Sequence, residues 1–183
     1  MDWSRIRHTL ALCLIRTAGK RAAYCKKHHV FANMGDDCLL MFRKVPLCPK
    51  LISFGNNVRI ASNVTLVTHD VIHKMLNTKY APQPPYPEFK GCIELKDDVF
   101  VGANTTILPN VSVGPNVIIG ACSLVNHDIA EGVYAGVPAR YICSIDDFLS
   151  KRYPDADAFK PKNNEELWSA FRNRKSKTDS GKK

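Results

Sequence analysis

The chain of 183 residues is long enough for one domain with a hydrophobic core plus appendages, and its 45% hydrophobic content excludes wholesale disorder. A net charge of +9 raises nucleic acid and anionic membrane as partners, but the charge belongs to the ends: residues 1–50 carry ten Lys/Arg against three acids, residues 151–183 ten against five, and the hundred between six against nine. Seven cysteines (Cys13, Cys25, Cys38, Cys48, Cys92, Cys122, Cys143), odd in number and without a C-x-x-C pair, fit a reduced, cytoplasmic protein better than a disulfide scaffold or a zinc site.

Residues 1–29 are expected to form a helix, because Trp3, Ile6, Leu10, Cys13 and Leu14 recur near a 3.6-residue period with Arg or Lys elsewhere. The apolar run Leu10–Ile15 is short of the roughly 20 residues of a membrane span. Arg16, Lys20 and Arg21 follow it, rather than a small-residue cleavage site, which argues against a signal peptide. A helical or extended segment is therefore expected over residues 1–49.

The middle of the chain repeats. From Leu95 an aliphatic residue returns every six positions, at Val101, Ile107, Val113, Ile119 and Val125. A second series of β-branched or small residues runs four positions later: Val99, Thr105, Val111, Val117, Ser123 and Ile129. A helix needs returns at three and four, and a plain strand alternates indefinitely, so a period of six excludes both. Short strands that turn at Gly or Asn corners satisfy it. Three sides then make one coil, each inward residue stacks on the one eighteen positions earlier, and Val101 lies under Ile119 and Leu95 under Val113. The same register appears at Phe54, Ile60 and Leu66, so the coil is expected over residues 50–145.

Residues 71–92 interrupt it. Leu66 to Leu95 is 29 positions, which is not a multiple of six, and four of the eleven prolines fall within 82–87. This stretch is expected to leave the coil as a surface excursion, of the kind that often carries function. Residues 146–183 are expected to hold a helix over "NNEELWSAFRNRK", with an Asn cap, early acids and late bases, before a disordered basic tail, "SKTDSGKK".

Three features stand in one order: "NVTLVTHD", "DDVFVGANTTILPNVSVGPNVIIGACSLV" and "GVPAR". Together they resemble the left-handed β-helix acyltransferases with hexapeptide repeats, in particular the galactoside, maltose and nodulation-factor O-acetyltransferases and the sugar acetyltransferases of polysaccharide assembly. The likeness covers roughly residues 50–145. It implies an all-β left-handed parallel β-helix with helical segments at both ends, assembled as a homotrimer. It also implies acetyl-CoA as acyl donor in the groove between prisms, no metal, and a carbohydrate acceptor beside the excursion. The histidine at the root of the excursion, His69, is then the general base. The coenzyme contacts carry over to Ala103, Ala121, Asn126, His127 and Arg140. The chain departs from its relatives at Asn126-His127, where Thr-Lys is usual, at Cys143, where a second arginine is usual, and at Phe100, which replaces a tryptophan. The acids that hold the acceptor in galactoside enzymes have no match.

The chemistry requires a base. A sugar hydroxyl holds its proton too tightly to attack a thioester at neutral pH, and imidazole, with a reference pKa of about 6.5, is mostly neutral yet still basic there. The resulting oxyanion needs a donor, and no nucleophile motif points to a covalent intermediate.

Each residue also has a plainer reading. A histidine at a strand end is usually a solvated turn residue. Asp70 either orients His69 or forms a turn, His73 belongs to the loop, and His28-His29 belongs to a helix end. Ala103 and Ala121 suit any tight corner. A trimeric metal site would draw on His69, His73 and His127, whose spacing does not suit it. N-acetylation of an amino sugar, or a non-catalytic scaffold, stays open beside O-acetylation. The basic ends read as a solubility device or a weak contact to anionic membrane, and no motif supports nucleic acid.

Overall fold

A computed structural model describes residues 3–154 and 163–180, with side chains in the second segment as far as Arg172. It contains two compact units, Met1–Phe148 and Leu149–Lys183. The first opens with α1 (Trp3–Leu14) and α2 (Ala18–Lys27). The single helix expected over 1–29 is broken because Thr17 is extended and its side chain accepts from Lys20 N (3.4 Å), capping α2.

Buried Arg21 then joins the two helices to the coil. Its Nε donates to Leu40 O (2.8 Å) and its Nη1 to Ile15 O (2.9 Å) and Arg16 O (3.1 Å), so it satisfies carbonyls left over where α1 ends. Burial, and secondarily the charge of Arg43, lowers the Arg21 pKa from its usual value.

The coil begins with β1 (Asn33–Met34) and β2 (Leu39–Leu40), upstream of the expected start near residue 50, and continues through β3 (Ile52–Phe54), β4 (Arg59–Ile60) and β5 (Thr65–Leu66). After α3 (Ile72–Tyr80) come β6 (Ile93–Leu95), β7 (Val99–Val101), β8 (Thr106–Ile107), β9 (Val111–Val113), β10 (Val117–Ile119), β11 (Leu124–Val125) and β12 (Gly132–Ala135). Finally β13 (Arg140–Cys143) folds back antiparallel on β12 and closes the stack. The strands form three sheets, in the orders β1-β3-β6-β9, β13-β12-β10-β7-β4-β2 and β11-β8-β5, and every pair except β12–β13 is parallel.

The expected stacking is present. Leu95 pairs with Val113 and Val101 with Ile119, and all six members of the first series are completely buried. Each such side chain contributes about 1.5–3 kcal/mol of burial free energy. The second series is buried too, and its polar members are satisfied: Thr105 Oγ1 and Ser123 Oγ both donate to Gly120 O (3.1 and 2.7 Å).

The corners at Asn57, Asn63, Asp98, Asn104, Asn110, Asn116 and Cys122 all have positive φ, a conformation that asparagine and aspartate tolerate best. Coils approach so closely beside them that a Cβ on Gly102 would stand 2.5 Å from Ala121 N.

Leu66 pairs with Ile107, 41 positions on, whereas Ile93 pairs with Val111, 18 on; the difference, 41 − 18 = 23, is the length of the insertion. By this register the excursion runs from His69 to Gly91. It opens with α3, which proline content alone did not suggest, and Asn77 holds Tyr86 through two hydrogen bonds (2.8 and 2.9 Å).

The chain then enters α4 (Ile145–Arg152). In the second unit α5 (Asn164–Ser180) starts at the expected cap, where Asn163 Oδ1 accepts from Glu166 N (2.9 Å) and Glu166 Oε2 from Asn163 N (3.0 Å). It continues to Ser180 through residues expected to be disordered, and the expectation for 181–183 lies outside the described residues. Among the described residues, no helix is long and apolar enough to cross a membrane.

Candidate active site

His69 stands at the root of the excursion, half-buried, where the returning segment 89–91 clamps it. Gly91 N donates to Thr68 O (2.8 Å), Asp70 N to Phe89 O (3.4 Å), and His69 faces Lys90 across an antiparallel bridge. Its Nδ1 lies 3.4 Å from Thr68 Oγ1 and 3.9 Å from Cys48 Sγ. Thr68 is buried, and its hydroxyl proton goes to Leu47 O (3.0 Å). The oxygen therefore offers Nδ1 a lone pair. A long contact of this kind favours a proton on Nδ1 and leaves Nε2 bare.

The neighbouring acids do other work. Asp70 Oδ1 accepts from Ile72 N (3.0 Å), so Asp70 forms the turn into α3. Glu88 pairs with Lys90 (2.8 Å), and the Lys90 hydrogen bond, with smaller help from His69 and His73, holds the Glu88 carboxyl below the usual carboxylate range. His73, in the first turn of α3, has an Nδ1 that is buried without a hydrogen-bond partner.

A cavity of about 940 Å³ opens beside His69, between residues 41–47 and 62–71. It exists because the first coil supplies strands to two sheets but none beneath β5. Sequence reading missed Cys48 and Thr68, which contact His69, and Arg5, Arg43 and Lys44, which line the same cavity. A hydroxyl immediately before the histidine was the one signal available; the others come from distant segments.

The remaining site residues fall in two places. Asn126 and His127 follow Val125, which stacks over Ile107 and Leu66, so they occupy the corner from which His69 leaves, two coils higher and about 10 Å away by strand spacing. His127 Nδ1 lies 2.9 Å from Asn126 Oδ1. Ala103 and Ala121 stack at the next corner, where Cys122 N donates to Ala103 O (2.8 Å). Arg140 pairs with Ala135, whose Cβ would lie 3.0 Å from a Cβ on Gly120, one residue before Ala121. The exposed Arg140 guanidinium has only a long contact to Ala139 O (3.4 Å). Small side chains beside an available cation are what a pantetheine arm and a phosphate require, but within one chain this corner is not the corner of His69. Among the described residues no group of three His, Cys, Asp or Glu is placed to hold a metal.

Comparison with known proteins agrees with the repeat and the fold. Residues 93–127 match the family model described as bacterial transferase hexapeptide (six repeats). A galactoside O-acetyltransferase of Escherichia coli (strain K12) is 40% identical over 98 residues, covering 52% of this chain and 45% of the relative. A galactoside O-acetyltransferase of Lactococcus lactis subsp. lactis is 30% identical over 144 residues, 68% of each. A solved structure of a galactoside acetyltransferase in complex with coenzyme A superposes with a TM-score of 0.58 at 24% identity, covering 89% of this chain and 92% of that one. The matched stretch spans less than half the length of several of the curated relatives. From the hexapeptide pattern, the three-sided parallel coil and these likenesses, the chain belongs to the hexapeptide-repeat acetyltransferase family.

Proposed function

We propose that this protein transfers acetyl from acetyl-CoA directly to a hydroxyl of a sugar or polysaccharide unit, with His69 as general base. The observation that carries the reading is the state of His69: it sits at the mouth of a large cavity, with Nδ1 facing a hydroxyl oxygen whose own proton is already donated. Nε2 takes the acceptor's proton as its oxygen attacks the thioester carbonyl, the C–S bond then breaks, and the proton passes to the leaving CoA thiolate. The tetrahedral oxyanion requires a hydrogen-bond donor.

The coenzyme lies along Ala103 and Ala121 with its phosphates toward Arg140 and its pantetheine end toward Asn126 and His127. Since His69 leaves from a different corner than Ala103 and Ala121, a complete site joins the base of one protomer to the Ala103 and Ala121 corner of another, as a left-handed, trimeric, cytoplasmic enzyme of this family would do. The relatives named above as galactoside O-acetyltransferases support the O-acetyl reading.

Thiol release from acetyl-CoA with a panel of sugars, and mass detection of the product, tests this. His69→Ala should lower turnover by about 10²–10⁴-fold, the usual share of a general base. Full activity in that variant would remove the assignment, and an amide product would replace O-acetylation by N-acetylation.

A further inference from the structure

The cavity that His69 lines is rich in cations. Arg5, Arg43 and Lys44 line it, and the one carboxylate among its lining residues, Asp70, is engaged by Ile72 N. Arg43 is held in place by the end of α1, its Nη1 donating to Cys13 O (2.9 Å) and Ile15 O (3.4 Å). Nε and Nη2 remain available to a ligand. Ion pairs among the described residues join Lys26 to Asp36 and Lys90 to Glu88, so neither Arg43 nor Lys44 has a carboxylate partner. Arg43 also lies close enough to the buried Arg21 to disfavour its charge. Three cations against the single carboxylate of Asp70 leave the lining with a net positive charge, and an anion in the cavity offsets it.

A neutral glycoside would draw nothing from this wall. A single carboxylate would match one of Arg43 and Lys44 and leave the other. Phosphoryl groups suit both a guanidinium fork and an ammonium point charge, and a diphosphate carries enough negative charge for the set. The volume, about 940 Å³, is near the top of the usual range for ligand sites, roughly 300–1,000 Å³, and leaves room beyond one sugar ring. We infer that the acceptor is a sugar carried on a diphosphate, with Arg43 and Lys44 binding the phosphoryl groups while the sugar hydroxyl reaches His69. This rests on the reading of His69 as the base beside the acceptor.

The test uses the full chain with saturating acetyl-CoA and one sugar in four forms: free, as its uronate, linked to a nucleoside diphosphate, and linked to a short polyprenyl diphosphate. At least one diphosphate form should exceed the free sugar in kcat/KM by roughly tenfold or more, the scale of one charge-assisted contact. Which of the two forms does so identifies the carrier. Arg43→Gln and Lys44→Gln should each raise the acceptor KM by roughly tenfold and leave the KM for acetyl-CoA unchanged. Lys44→Gln touches no folding contact, so it decides the matter if Arg43→Gln unfolds. Inorganic pyrophosphate should bind competitively with acceptor, more weakly at high salt, and equally well in His69→Ala. The inference falls if the free sugar or the uronate serves as well as the diphosphate forms, or if Lys44→Gln leaves both pyrophosphate binding and acceptor KM unchanged. These outcomes are separable from failure of the base: pyrophosphate binding with undiminished turnover in His69→Ala overturns the base alone.

Discussion

The first coil and the coils above it follow different rules. Above, β9, β10 and β11 each stack on a strand eighteen positions earlier, the corners at Asp98, Asn104, Asn110, Asn116 and Cys122 share a positive φ, and the interior is a set of aliphatic columns. In the first coil Met34 pairs with Phe54 and Leu40 with Ile60, twenty positions apart, and the third side contributes no strand. The regular coils build a core that needs no partner but its neighbours. The irregular coil, with the 23-residue excursion rooted just above it, leaves the cavity and the histidine. Stability and chemistry are thus separated along the axis of one solenoid.

Removing the excursion sharpens that contrast most. Joining Thr68 directly to Cys92 deletes 69–91 and restores the eighteen-residue register, so circular dichroism and thermal melting should report a folded coil while transfer is lost completely. A chain that no longer folds would show that the excursion is part of the core. Truncating a column in the regular coils should have the opposite signature. Ile119→Ala should cost about 2–5 kcal/mol of stability, measured by urea unfolding, with the kinetics of the folded fraction unchanged.

Where the helices meet the irregular coil, Arg21→Met leaves buried carbonyls unsatisfied and should cost about 3 kcal/mol. Cys25, buried on α2, gives this region a pH signature, because burial pushes its thiol up to about 12. The unfolded thiol ionises near 8.5 while the folded one keeps its proton, so the stabilisation is complete below that pH and is lost as pH rises, by about 2 kcal/mol at pH 10. Urea midpoints across this range should fall for the native chain and stay flatter for Cys25→Ala.

Smaller effects probe single contacts. Thr68→Val should lower kcat by roughly tenfold and shift the pH profile, and Thr68→Ser should restore both if the hydroxyl sets the tautomer of His69. Cys122 is the one corner of its series that is neither Asn nor Asp, so Cys122→Asn should raise stability by about 1 kcal/mol. An unchanged melting temperature would mean that the corner conformation is not what selects asparagine.

Much of the regular part is legible in the amino-acid order, because a coil that stacks only on itself must repeat in the sequence. Leu95, Val101 and their successors announce both the period and the partners, and the break after Leu66 locates His69. The start of the coil is not legible, since Met34 and Leu40 belong to a single turn with a different spacing and no repeat to betray it. Helix α3 is hidden by the prolines that follow it, and the gap between α1 and α2 by an apolar run that continues to Ile15. The role of Arg21 is equally invisible: a buried arginine satisfied by carbonyls has no acidic partner to mark it.

The chain by itself therefore determined the columns, the corners and the position of His69, all of which depend on spacing along one strand of covalent structure. Only the tertiary structure decided what surrounds that histidine. Cys48 comes near it, Arg43 and Lys44 line the cavity that it shares, and Asp70 is engaged by a backbone amide. Contacts between segments that share no repeat leave no period in the sequence, because they are set by how two dissimilar surfaces close on one another.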